Sequence, residues 1–176
     1  KCLLAVQSDV VCKTLIGEEG TSAALQGSFN TLGYTQVVFQ LAQFAGSSID
    51  LTDIVLYYEV MRDNCGSLTS IQLISSMGTH SQTLTFDLEN FDEMYADEYV
   101  VCLDLGNGWV SVFINMAIAF EGFPLDDVTQ LIVTYNNVGR EYDDKPSHFY
   151  MDNMFFVPLD TPSLQPEEMN DLATTC

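Results

Sequence analysis

From Cys2 to Val157 the chain keeps returning to short runs of β-branched and aromatic residues, most of them closed by Gly, Asn, Asp or Pro. The runs are CLLAV (2–6), VVCKTLI (10–16), SAALQGSF (22–29), YTQVVFQLA (34–42), DIVLYYEVM (53–61), SIQLISS (70–76), QTLTFDL (82–88), YVVCLDL (99–105), WVSVFINMA (109–117), QLIVTYNN (130–137) and FYMDNMFFV (149–157). Such residues fit a pleated, half-buried surface, and the residues between them form turns at little cost. Helical periodicity is nearly absent; ENFDEMYADE (89–98) reads as one or two acidic turns at most. This rhythm predicts an all-β fold, an antiparallel two-sheet β-sandwich of the jelly-roll kind. At 176 residues one domain is large enough to bury a core, and we assign it residues 1–157. The segment 158–176 changes character, with three prolines and four acids, and reads as a tail or linker.

Charge narrows the partners. The chain has 25 Asp and Glu against 5 Lys and Arg, a formal net charge of −20. Nucleic acid and anionic lipid surfaces are repelled by such a surface, and no basic patch can form from Lys1, Lys13, Arg62, Arg140 and Lys145. No run approaches the roughly 20 apolar residues of a membrane span, so no membrane insertion is expected. Neutral ligands and cations remain, beside the plainer reading that the acids only keep a sticky β protein soluble. No basic-then-apolar leader opens the chain, so Lys1 is taken to follow a removed leader or another boundary.

The five cysteines lack the spacing of a zinc or redox motif. Cys2 and Cys12 flank a stretch that reads as a hairpin turning near Gln7–Asp9, where a bridge is feasible if they face each other. Cys65 and Cys102 can meet only through the fold, and Cys176 is left over. Buried thiols fit the same count.

Period-2 alternation divides each strand into two faces. In 53–61, Ile54, Leu56, Tyr58 and Val60 form the apolar face, with Val55, Tyr57 and Glu59 opposite. In 109–115, Val110, Val112 and Ile114 form the core set, opposite Trp109, Ser111, Phe113 and Asn115. In 36–41, Val37, Phe39 and Leu41 face in, and Gln36, Val38 and Gln40 face out. Aromatics thus share the non-core face with amides, a hydroxyl and an acid. A sugar ring has an apolar C–H face and a hydroxyl rim, so it stacks on an aromatic plane while short polar side chains bind its edges. Trp109, Tyr57 and Phe113 are the candidate planes; Gln36, Gln40, Glu59, Ser111 and Asn115 are the candidate edges. The alternative is that a neighbouring segment covers this face and makes it a second core layer.

NGWVSVFINMAIAFEGFPLDDVTQLIVTYNN followed by HFYMDNMFF resembles the C-terminal half of β-jelly-roll carbohydrate-binding modules of the galactose-binding-like type. GSSIDLTDIVLYYEV, upstream, is similar to the strand that follows an acidic turn in those modules. The resemblance spans roughly residues 46–157 and is weaker over 20–45. It implies a noncatalytic module that holds a larger secreted or cell-surface enzyme or assembly on a neutral plant cell-wall polysaccharide such as β-glucan, xyloglucan, mannan or xylan. It also implies that Asp152, in the final strand, helps hold a structural Ca2+, with Glu18 or Glu19 as the weakest of partner choices. Independently, a carboxylate set in an apolar strand needs donors or a cation; exposure to solvent or backbone N–H donors at a bulge are the other ways out. Trp109 stands where these modules often have a structural Trp, so Tyr57, Tyr95, Tyr99, Tyr135 and Tyr142 compete as platforms.

An enzyme is the lesser expectation. A glycosidase needs two carboxyl groups across one cleft; Glu59 and Glu98 are conceivable, but nothing in the sequence brings them together. His80 and His148 have no nucleophile or metalloprotease motif beside them. A structural or adhesive sandwich with a protein partner is the second class of function, and a jelly-roll hydrolase or lyase the third.

Overall fold

The computed structural model describes residues 5–6, 10–17, 20–29, 34–76, 78, 80–89, 99–136 and 147–159. The two-sheet antiparallel β-sandwich expected from the strand rhythm is what these residues form. In chain order the strands are β1 (Ala5–Val6), β2 (Val10–Gly17), β3 (Gly20–Phe29), β4 (Tyr34–Gln40), β5 (Ile54–Asp63), β6 (Leu68–Ser75), β7 (Ser81–Asp87), β8 (Val100–Gly106), β9 (Trp109–Asn115), β10 (Val128–Asn136) and β11 (Ser147–Pro158). Five of them make one sheet, ordered β1-β4-β10-β6-β7, and six make the other, ordered β2-β3-β11-β5-β9-β8.

The core lies between the sheets and follows the alternation. Leu56, Tyr58 and Val60 of β5 and Val112 and Ile114 of β9 are buried from one side. Val37, Ile71, Leu73, Leu131 and Val133 are buried from the other. Tyr135 of β10 stacks on Phe149 of β11 with ring centroids 3.8 Å apart, tying the two sheets together. Tyr135 is buried in the core cluster, so it is a core residue and not a sugar platform; beside it, burial pushes the Tyr58 phenol well up.

Several local expectations change. Among the described residues the expected hairpin of 2–6 with 10–16 is not formed: Ala5–Val6 pair with β4 in the five-stranded sheet, and β2 pairs with β3 in the six-stranded one. Cys2 and Cys176 lie outside the described residues, as do 90–98 and the tail from 160. Cys65 and Cys102 are both thiols. The Cys65 thiol donates to the His148 carbonyl at 3.2 Å, and burial, with the neighbouring Asp87, pushes the Cys102 thiol up to about 12.

Two strands end in helical turns, not in longer strands. Residues Leu41–Ala45 form α1, closed by Gly46 at φ 74, a left-handed backbone that glycine adopts without a side-chain penalty. Residues Met116–Ala119 form α2, which ends β9 at Asn115. No helix among the described residues is long and apolar enough to cross a membrane.

Candidate functional site

Strand register turns the outer face of the six-stranded sheet into rows that cross the strands. Phe155 is opposite Tyr57, Tyr57 opposite Phe113, and Phe113 opposite Val101. One row along, Asp152 is opposite Glu59, Glu59 opposite Ser111, and Ser111 opposite Leu103. In a third row Tyr150, Met61 and Trp109 are partners. Neighbouring members of a row are one strand spacing apart, about 4.8 Å, and successive rows are about 7 Å apart along the strands. An aromatic and apolar row, a mostly polar row and a second aromatic row therefore lie side by side on one face.

A bulge in β11 builds this arrangement. Between the pairs Asp152–Glu59 and Phe155–Tyr57, β11 advances one residue more than β5. The extra residue is absorbed at Asn153, whose φ of 49 is in the left-handed region that Asn tolerates better than most side chains. Unbroken alternation from the buried Phe149 would put Phe155 on the core side. The bulge turns it out, where it is 51% exposed, while Met154 and Phe156 pack against the core. This is why an acid interrupts so apolar a strand: Asp152 is on the outer face, and its Oδ1 accepts the Asn153 main-chain N–H at 2.8 Å.

The same bulge fixes the polar row. The Asn153 side-chain amide donates to Glu59 Oε2 at 2.8 Å, and the Tyr57 hydroxyl donates to Glu59 Oε1 at 2.5 Å. Tyr57 in turn stacks on Phe155, centroids 6.0 Å apart and 19° from parallel, and packs tilted on Phe113 at 4.8 Å. Burial raises the Asp152 carboxyl above its ordinary value; the Asn153 N–H opposes this, and the nearby Glu59 adds to it.

The residues expected from sequence fall into three groups. Tyr57 and Glu59 are joined in this network, with Phe113 beneath; Phe113 is only 7% exposed and supports Tyr57 instead of offering a plane of its own. Trp109 is half-buried at the end of the third row, held by a two-residue Asn107–Gly108 reversal with φ of 55 and 83, the left-handed pair of a tight hairpin. Ser111 and Asn115 share the face, but the Ser111 hydroxyl proton and the Asn115 side-chain oxygen are engaged by backbone groups. The Ser111 hydroxyl is buried and donates to the Leu103 carbonyl at 3.4 Å, and Asn115 Oδ1 caps α2 by accepting the Ile118 N–H at 3.3 Å. Gln36 and Gln40 are elsewhere, on the outer face of the other sheet, where Gln36 donates to Thr134 at 3.3 Å. Phe155, Tyr150 and Asn153 escaped the sequence reading. The signal for them was the Asp-Asn pair in the final strand, where Asn marks a bulge.

Calcium at Asp152 would need more ligands than the described residues bring to it. Asp152 and Glu59 are two carboxylates, whereas calcium takes six to eight oxygens. Among the described residues no three His, Cys, Asp or Glu side chains gather as a metal-binding group. Glu18, Glu19 and Glu98 lie outside the described residues, as do Tyr95 and Tyr142.

No family model matches the chain, and no curated protein sequence matches it. Solved structures do. The family 30 carbohydrate-binding module of the cellulosomal cellulase Cel9D-Cel44B of Clostridium thermocellum superposes with a TM-score of 0.56 at 14% identity, over 90% of this chain and 87% of that one. Another family 30 carbohydrate-binding module gives 0.57 at 13% identity, over 95% and 85%. The chain shares the fold of family 30 carbohydrate-binding modules. An exo-β-agarase also superposes, with a TM-score of 0.50 at 11% identity; 95% of this chain covers 25% of that one. At these identities the likeness is one of fold, and the side chains on the face must carry any statement about ligands.

Proposed function

We propose that the outer face of the six-stranded sheet is a noncatalytic carbohydrate-binding surface. Its ligand is a neutral polysaccharide of the plant cell-wall kind, a β-glucan, xyloglucan, mannan or xylan. The glycan crosses β11, β5 and β9, and the module holds a larger secreted enzyme or cell-surface assembly on it. The observation that carries this is the exposed Phe155 stacked on Tyr57, flanked one row away by Glu59, Asn153 and Asp152. Stacking on Phe155 and Tyr57 removes the apolar face of a sugar from water, and the adjoining carboxylates accept from its hydroxyls. Because the planes and the acceptors form rows across the strands, a linear glycan can use both along its length. The shared fold supports the reading at the level of architecture.

Affinity gel electrophoresis against β-glucan, xyloglucan, mannan and xylan tests it. Retardation on at least one, lost in Phe155→Ala, is the expected result. No retardation of the folded protein on any of them would favour a sandwich that binds a protein partner. Release of reducing ends during incubation would replace binding with hydrolysis and put Glu59 and Asp152 in catalytic roles.

A further inference from the structure

Glu59 and Asp152 are register partners on adjacent strands, an arrangement that sets Cβ atoms about 5 Å apart. All the donors to them are neutral: the Tyr57 hydroxyl and Asn153 side-chain amide for Glu59, the Asn153 main-chain N–H for Asp152. Among the described residues neither acid has an ion pair. Arg62 of β5 is committed to Glu89 at 2.7 Å. Four positions before Asp152, His148 has its Nδ1 3.8 Å from Asp63. The nearest basic register position is Lys13 on β2, opposite Ala24 of β3, two strands or about 10 Å beyond β11. Among the described residues, Glu59 and Asp152 therefore make a pair of acids with no base paired to either. Burial first, and the neighbouring Glu59 in smaller part, raise the Asp152 carboxyl, against the Asn153 N–H that lowers it.

The kind of cation is decided by what stands beside the pair. One row away are the rings of Tyr57 and Phe155, which are no use to a metal ion but attract an organic cation and cover an apolar ring. A sugar that carries an ammonium group uses both features at once: the charge meets the carboxylates and the C–H face meets the rings.

We infer that this face also takes β-linked amino sugars of the glucosamine type, with the ammonium between Glu59 and Asp152 and the ring on Phe155 and Tyr57. It holds them more tightly than neutral oligomers of equal length. The inference rests on the carbohydrate-binding reading above and adds a ligand class to it.

Calorimetric titration separates the two. The whole chain is titrated with cellotetraose, the glucosamine tetramer and its fully N-acetylated form, at physiological salt and a pH where the amine is protonated. The glucosamine tetramer is expected to bind on the order of tenfold more tightly than cellotetraose, a modest ion-pair contribution at a half-buried site. The paired change Glu59→Gln and Asp152→Asn, checked for folding by its melting temperature, should bring that ratio to about one, and Phe155→Ala should weaken both ligands. Equal binding of amine and neutral tetramers overturns the inference and leaves the carbohydrate reading standing. So does an amine preference that survives the paired change, since that is bulk attraction to a chain of net charge −20. A preference erased by added calcium, with a melting temperature lowered by EDTA, gives the pair to a metal and overturns it as well. Failure of all three tetramers to bind overturns both readings.

Discussion

On the six-stranded sheet the outward positions near the centre are Phe155, Tyr57, Glu59, Asp152 and Tyr150; on the five-stranded sheet they are Gln36, Val38, Gln40, Gln130, Ile132, Thr134, Ser70 and Gln72. Both faces turn away from the same core, so solvent alone does not account for their difference. From β4 through β6 the second face has no charged outward position, although the chain has 25 acids to distribute. It sets amides and hydroxyls on either side of Val38 and Ile132, with the Gln36 amide donating to the Thr134 hydroxyl. The first face spends aromatic area and two acids, without an ion pair among the described residues, where a plain surface would gain nothing from either. A sheet needs only one apolar face to fold, and the chemistry of the other is left for function to choose.

Substitutions tell the two faces apart, beginning with the core that both share. Phe149→Ala, which removes the ring stacked on Tyr135, should cost about 3–5 kcal/mol in chemical denaturation and weaken the support of both sheets together. Phe155→Ala should leave stability nearly unchanged but lower glycan affinity on the order of tenfold in calorimetry. If it destabilises as strongly as Phe149→Ala, the outward placement of Phe155 is wrong. Asn153→Val forces a β-branched residue into the left-handed region and should cost about 1–2 kcal/mol of stability, with glycan affinity falling as the bulge is lost. Asn153→Gly should keep the bulge and the fold.

Smaller effects follow. The Asp152 carboxyl is raised in the folded state, so the folded chain binds that proton more tightly than the unfolded chain does. The group's contribution to stability is therefore greatest below the ordinary value of 3.8 and is lost as pH rises through the raised one. Asp152→Asn should accordingly raise the melting temperature slightly at neutral pH, with no gain in strong acid. On the other face, Gln36→Ala and Gln40→Ala should stay within about 0.5 kcal/mol of the parent and leave glycan binding untouched.

What the sequence could tell follows the same physics. Alternation was enough for β5, whose burial repeats every two residues, and Tyr57 and Glu59 came directly from it; in β9 it assigned the faces, but Ser111 and Phe113 are buried on the outer one. It failed at β11, where one residue at Asn153 shifts the phase and brings Phe155 out. Alternation also says which face a residue takes but not which sheet its strand joins. Gln36 and Gln40 were outward as expected, and on the wrong side of the molecule to meet Tyr57. Pairing is a non-local choice, which is also why the apparent hairpin at the N-terminus divides between two sheets. Nor does a pattern reveal whether a polar atom is already spent, as the Ser111 hydroxyl proton and the Asn115 side-chain oxygen are on backbone groups.

The central claim is that the aromatic and acidic face, and not the amide and hydroxyl face, meets the glycan. Titrating the isotope-labelled chain with a soluble β-glucan oligosaccharide and following backbone amide shifts tests it most directly. We predict saturable shifts confined to Val55–Met61 of β5, Trp109–Asn115 of β9 and Tyr150–Val157 of β11. Shifts centred on Tyr34–Gln40 of β4 and Val128–Asn136 of β10 would contradict the account.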